Sequence, residues 1–298
     1  MSFSSVLNSF SVSLSNGLRI PMLGLGTSHR GGYCHEAVVY ALKDCGLRHI
    51  DTAERYGCEE KLGEAIRESG VPRSDLWLTN KLWPGNYGYK AARKACLDSC
   101  SRMEVEYFDL YLMHWPEPMT PGRSNREVRA ETWRALEELH KEGVCRAIGV
   151  SNFLIRHLEQ LKEDCSVVPH VNQVEYHPFQ QPDSLIRYCA DQGIVFEGFS
   201  PLAKGQALSH PTVRRIAEKH GRTPAQICVR WSIQVVTPHP TVPVQHSSLH
   251  SVTLILLFLS EWSGHNPQIY QKEQGTRKLS STFEFFCFFL INFRSIFQ

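Results

Sequence analysis

Between residues 22 and 230 the chain alternates two kinds of apolar pattern. Short, nearly continuous apolar runs match parallel strands buried on both faces, and they place strands at 23–26, 48–52, 76–81, 108–114, 147–150, 171–175 and 195–200. Between them apolar residues recur at three-and-four spacing, which predicts helices over 59–69, 90–103, 129–141 and 183–192. Ahead of the first strand, residues 12–20 read as a hairpin turning at Asn16-Gly17, a pair suited to a type I′ turn.

Strand–helix units of about 30 residues in unbroken succession describe an α/β protein, and a (β/α)8 barrel of the TIM type fits them better than a doubly wound sheet. No Gly-x-Gly-x-x-Gly follows any predicted strand, so the best positive sign of a dinucleotide-binding open sheet is missing. The polar residues decide. The apolar runs end in Asp51, Lys81, His114, Ser151 with Asn152, Gln173 with Glu175, and Ser200. In a barrel those ends converge on one mouth, where barrel enzymes place their chemistry.

The eighth unit breaks the pattern. A good amphipathic helix at 223–234 leads into Val235–Val244, where Pro238, Pro240 and Pro243 remove ladder donors. The expected organisation is therefore an N-terminal tail at 1–11, a barrel at 12–234 with an incomplete eighth βα unit, and a divergent, partly disordered segment at 235–298. Seven strands leave an edge open beside the first one, to be filled poorly by 235–244, filled by another chain, or left exposed. The apolar runs at 253–259 and 283–290 then predict poor solubility.

Composition narrows the class. Of 298 residues, 42% are hydrophobic and 21% charged, with 32 Lys+Arg against 30 Asp+Glu. That profile is globular. The formal net charge of +2 lacks the basic excess of a nucleic-acid binder, so no nucleic-acid partner is expected. The first residues carry no basic and apolar leader pattern, and the apolar runs near 253 and 285 are far shorter than the roughly 20 residues needed to span a bilayer. No membrane partner is expected, and a cytoplasmic monomer is. Ten cysteines at irregular spacing do not form a disulfide framework. Cys96 and Cys100, four apart on a helix, are either small core residues or a redox pair, with core packing the favoured reading.

Asp51, Tyr56, Lys81 and His114 sit at or just beyond three successive strand ends. A tyrosine is a poor acid at neutral pH. A neighbouring ammonium favours its phenolate, and a carboxylate paired with that ammonium keeps it charged and oriented. A neutral histidine beside them donates a hydrogen bond to a carbonyl oxygen where charge develops. Taken singly each has a structural explanation, such as a strand-end Asp capping the next helix. Together they suit delivery of a proton to oxygen while hydride reaches carbon.

The same residues carry a family resemblance. Residues 46–63, GLRHIDTAERYGCEEKLG, resemble the first signature of the aldo-keto reductases, with Leu47 where an aromatic is usual. Thr79-Asn80-Lys81-Leu82-Trp83, Leu112-Met113-His114-Trp115-Pro116 and residues 147–153, AIGVSNF, are similar to further segments of that family. The resemblance spans about 12–234 and implies NADPH-dependent reduction of a small-molecule aldehyde or ketone, with no metal. It makes Tyr56 the acid, Lys81 and Asp51 its tuners, and His114 the carbonyl orienter. It assigns Asp51, Ser151, Asn152, Gln173, Phe199, Ser200 and Leu202 to the cofactor. Phe199 would stack on the nicotinamide, although a plain core role serves it equally, and residues 200–205 would pass over the pyrophosphate. Trp83, His114 and Trp115 would line the substrate pocket, which Ser28-His29 would leave more open or more polar, since many relatives carry Trp there. The family's third signature, whose Lys and Arg grip the 2′-phosphate, has no match in 235–298. Two other readings stand beside this one: an inactive or weakly active barrel with a cofactor-binding or regulatory role, and a metal-dependent barrel hydrolase suggested by 14 histidines.

Overall fold

The computed structural model describes residues 11–28, 33–234 and 253–258. A two-stranded antiparallel ribbon, β1 (Ser11–Ser13) and β2 (Arg19–Pro21), precedes a closed barrel of eight parallel strands. These are β3 (Leu23–Gly26), β4 (His49–Asp51), β5 (Trp77–Leu82), β6 (Phe108–Met113), β7 (Cys145–Ser151), β8 (Val171–Glu175), β9 (Val195–Phe199) and β10 (Thr253–Phe258). The seven strands expected from the pattern are all present, and helices such as Glu59–Ser69, Tyr89–Met103, Asn125–Lys141 and Asp183–Asp191 return the chain between them.

The closing strand corrects the sequence reading. β10 pairs in parallel with β9 (Thr253 opposite Phe196) and with β3 (Ile255 opposite Leu23), so the edge expected beside the first strand is occupied. The barrel therefore extends past residue 234. The proline-rich stretch 235–244, proposed as an imperfect filler, lies outside the described residues, as does any helix after β10. A seven-residue apolar run with no periodicity cannot be recognised as a strand on its own. Two unpaired strand edges in a nearly closed ring select it, because each would otherwise leave its backbone groups unbonded.

The hairpin needs a second correction. Val12 faces Ile20, one residue short of the Pro21 that a two-residue turn would set opposite it, and Gly17 adopts φ 84° while Asn16 does not have positive φ. A type I′ turn requires both. The chain instead makes a three-residue loop, Ser15-Asn16-Gly17, closed by Leu14 N–H donating to Leu18 O at 2.8 Å. Asn16 is freed to donate to Arg146 O at 3.0 Å, tying the ribbon to the start of β7.

Inside the barrel, alternate residues of each strand point to the axis. Register places them in layers: Asp51 is level with Thr79, Lys81 with Leu112, and Gln173 with Glu197. Gly149 is level with Leu112 on β7, and a Cβ there would lie 2.6 Å from Val171 O. A side chain would not fit there. At the opposite end of the barrel Arg73 Nη1 pairs with Asp109 at 2.7 Å, and Asp109 also accepts from Leu78 N–H. Cys96 and Cys100 are buried free thiols in this helix–barrel interface, with Cys96 Sγ 3.6 Å from Cys145 Sγ. Among the described residues, no helix is long and apolar enough to cross a membrane.

Candidate active site

The polar strand ends meet as the pattern required. Asp51 ends β4, Lys81 lies on β5, and His114 follows β6 directly, its N–H bonded to Leu82 O at 3.1 Å. Tyr56 closes a single helical turn, Glu54–Tyr56, just after β4. Gly57, at φ 66°, ends that turn in a left-handed conformation that favours glycine.

Lys81 is the hub. Its Nζ pairs with Asp51 Oδ1, donates to Thr52 O at 3.1 Å and reaches Tyr56 Oη at 3.5 Å. The other oxygen of Asp51 accepts from Gln173 Nε2 at 2.9 Å. Lys81 and Asp51 are fully buried. A charge pair this deep persists only when its hydrogen bonds are satisfied, and here three strands and a loop satisfy it. His114 stands edge-on to Tyr56, with ring centroids 5.7 Å apart, and its carbonyl accepts from Asn152 Nδ2 at 2.9 Å.

The electrostatics refine the role expected of Lys81. Burial is the largest influence on Tyr56 and raises its pKa; Lys81 opposes that and Asp51 reinforces it, leaving the hydroxyl above the ordinary tyrosine range. The lysine thus moderates the shift without reversing it, and the tyrosine holds its proton in the free protein. Burial works against the Lys81 ammonium, but Asp51 and Tyr56 outweigh it and hold the amine protonated. Burial, with Lys81 nearby, pulls His114 down to about 3, so the imidazole is neutral. Its Nδ1 is buried without a partner among the described residues. Placing the proton on Nε2 leaves only a lone pair unmatched there, and gives the ring a donor.

Of the residues assigned to the cofactor, Asp51 ends β4 and the others lie on or just after β7, β8 and β9. Ser151 ends β7 and donates from Oγ to Gln173 O at 2.9 Å; Asn152, the next residue, is in the left-handed region at φ 63°. Gln173 joins this group to Asp51, so the amide-bearing residues and the Tyr–Lys–Asp line are one network. Phe199, half-buried, ends β9. After it, Ser200, Ala203 and Lys204 all have positive φ (56°, 52°, 55°). Strained non-glycine residues so concentrated are characteristic of loops shaped to hold a ligand. Leu202 is buried and supports that loop by packing.

Trp83 stands edge-on to His114 at 5.6 Å, and Trp115, 43% exposed, lies parallel to its ring at 6.4 Å. Tyr87 pins the Trp115 backbone by donating from Oη to its carbonyl at 2.5 Å. Ser28 is half-buried; His29 lies outside the described residues. Among the described residues, no three His, Cys, Asp or Glu side chains converge to hold a metal ion.

Two groups escaped the sequence reading. Glu197, two residues before Phe199, is fully buried below Asp51, with neither oxygen hydrogen-bonded among the described residues, and His49 Nε2 is 3.9 Å away. Burial pushes its pKa up to about 8, with Asp51 adding to the rise. The signal was available: strand alternation places positions 49 and 197 inward, two residues before inward-facing strand ends. Arg55, placed by the same turn as Tyr56, lies over the Trp83 ring with Cζ 5.4 Å from the centroid. Nothing in the local pattern distinguishes it from a solvated arginine.

Comparison with known proteins places this geometry. The model of the aldo/keto reductase family matches residues 23–254. The chain is 44% identical to the glyoxal reductase of Bacillus subtilis over 225 residues, covering 75% of this chain and 78% of that protein. It is 39% identical to the methylglyoxal reductase DkgA of Escherichia coli over 240 residues, covering 78% and 83%. The crystal structure of an aldo/keto reductase from Brucella melitensis superimposes with a TM-score of 0.72 at 39% identity, covering 83% of this chain and 86% of that one.

Proposed function

We propose, from the premise that this chain belongs to the aldo/keto reductase family, that it reduces aldehydes or ketones to alcohols using NADPH, with Tyr56 as general acid. The observation that carries this reading is the line from the half-buried Tyr56 to the buried Lys81 and Asp51, with the neutral His114 edge-on to the tyrosine. Two relatives are named for reducing glyoxal and methylglyoxal, which makes small dicarbonyl compounds reasonable first substrates.

The residues present suit a nicotinamide dinucleotide. Ser151, Asn152 and Gln173 bring hydroxyl and amide groups together at adjacent strand ends, matching the donors and acceptors of a carboxamide. Phe199 offers a ring face, and the left-handed backbone at 200–204 supports a pyrophosphate loop. When bound, the dinucleotide supplies the hydride.

The chain's own groups do the rest. His114 Nε2–H donates to the substrate carbonyl oxygen and stabilises charge growing there. Tyr56 Oη passes its proton to that oxygen as the alcohol forms. Lys81 lowers the cost of the phenolate left behind, and Asp51 keeps Lys81 charged through the cycle. Trp83 and Trp115 keep water from the reacting carbon.

The test is loss of reduced-nicotinamide absorbance with a panel of aldehydes that includes methylglyoxal. Turnover supports the reading. Cofactor binding without turnover on any of them would replace it with the regulatory one. Because no Lys–Arg signature for the 2′-phosphate is found in 235–298, the proposal includes weak NADPH binding with little discrimination against NADH. Quenching of tryptophan fluorescence by each cofactor checks that, and a strong preference for NADPH would overturn it.

A further inference from the structure

We infer that Arg55 is a docking cation at the mouth of the site and that the preferred substrates are carbonyl compounds carrying a carboxylate a few carbons from the reacting carbonyl. The inference rests on the reductase reading and adds the class of substrate.

Arg55 immediately precedes Tyr56 on one helical turn, so its backbone position is fixed by the same residues that fix the acid. It is exposed, yet its guanidinium is not placed at random: Cζ lies over the Trp83 ring, and Trp83 in turn stands edge-on to His114. One aromatic ring therefore separates the cation from the carbonyl-orienting histidine. Stacking on an indole face orders the planar fork while leaving its N–H edge free.

The carboxylate of the preceding residue has a partner other than Arg55. Glu54, the preceding residue, is bound through both oxygens to Asn86 Nδ2, at 2.9 and 2.8 Å. Among the described residues no carboxylate lies within ion-pair distance of Arg55, whereas Lys204, on the loop after β9, lies 3.6 Å from Glu175. A pre-oriented arginine beside an apolar wall, with no carboxylate of the described residues paired to it, suits bidentate capture of a carboxylate. A substrate whose carbonyl reaches Tyr56 and His114 would lay its carbon frame along Trp83 and its anion against Arg55.

The experiment compares 4-carboxybenzaldehyde with its methyl ester, which has the same frame and no charge, in the wild type and in Arg55→Met. The wild type should favour the acid in kcat/KM. Arg55→Met should lower the acid-to-ester ratio about tenfold or more, mostly through KM, as expected for one lost charge-assisted contact. An unchanged ratio would overturn the inference. Calorimetric binding of 4-(hydroxymethyl)benzoate, the alcohol product, needs no turnover. If neither aldehyde is reduced while this anion binds about tenfold or more weakly to Arg55→Met, the docking site stands and the reductase reading fails. If its affinity is the same in both proteins, Arg55 is a surface residue covering Trp83.

Discussion

At the scale of single residues the site is built on burial working against charge. Tyr56 is kept protonated by burial while Lys81 makes its phenolate reachable, so the two side chains should fail together. Tyr56→Phe removes the transferred proton and almost no volume. Turnover should fall by about 10²–10⁴-fold with cofactor binding nearly unchanged. Lys81→Met should lose a comparable amount, because the phenolate left by proton transfer becomes costlier, and raising the pH should not restore reduction, since the acid must still hold its proton; pH–rate profiles of both variants check this.

Glu197 gives a separate prediction about stability. Its carboxyl has an ordinary value of 4.5 but stands at about 8 in the fold. Between those values the unfolded chain has released the proton and the folded chain keeps it, so folding binds a proton. Stability must then fall as pH rises through that window, by about 1.4 kcal/mol per unit at the steepest. Glu197→Gln removes the titrating group and that slope. Melting curves at pH 5 and pH 8.5 should show the variant gaining on the wild type at the higher pH. An equal difference at both would mean that the carboxyl is already ionised in the fold.

At the scale of elements, one glycine sets how closely two strands pack. A methyl group at Gly149 would meet Val171 O at 2.6 Å and Leu112 Cδ2 at 2.8 Å. The leucine can shift, but the carbonyl belongs to the neighbouring strand and cannot. Gly149→Ala should cost about 1–3 kcal/mol and lower Tm by several degrees. Because β7 ends in Ser151 and Asn152, it should also weaken cofactor binding, measured by fluorescence quenching. The helical turn Glu54–Tyr56 shows the same coupling in a loop, since one 3-residue element fixes Tyr56, Arg55 and, through Asn86, Glu54.

At the scale of the whole molecule the barrel depends on a strand remote from its other seven. A chain ending at Gln234 would leave β3 and β9 unpaired along the edges that β10 now occupies. Such a truncation should aggregate and lose its cooperative thermal transition, which light scattering and circular dichroism would report. Retention of a sharp melt by the shortened chain would show that closure contributes little.

What the sequence determined by itself was the repeat, its direction and its functional end. Continuous apolar runs place β3 to β9, three-and-four spacing places the helices, and polar residues at the ends of those runs assemble Asp51, Lys81, His114, Ser151 and Gln173 into one mouth. Those features are legible because each depends on residues close together in the chain. The tertiary structure decided what depends on distant neighbours. A short apolar run at 253–258 becomes the eighth strand because two edges require pairing. The turn at Asn16-Gly17 lengthens as Asn16 reaches Arg146. Glu197 holds its proton because the closed barrel buries it, with Asp51 nearby adding to the effect, and Arg55 settles on Trp83 because the end of the next strand stands beside its turn. Local periodicity fixes which face a residue presents; what stands opposite that face is set by closure of the ring.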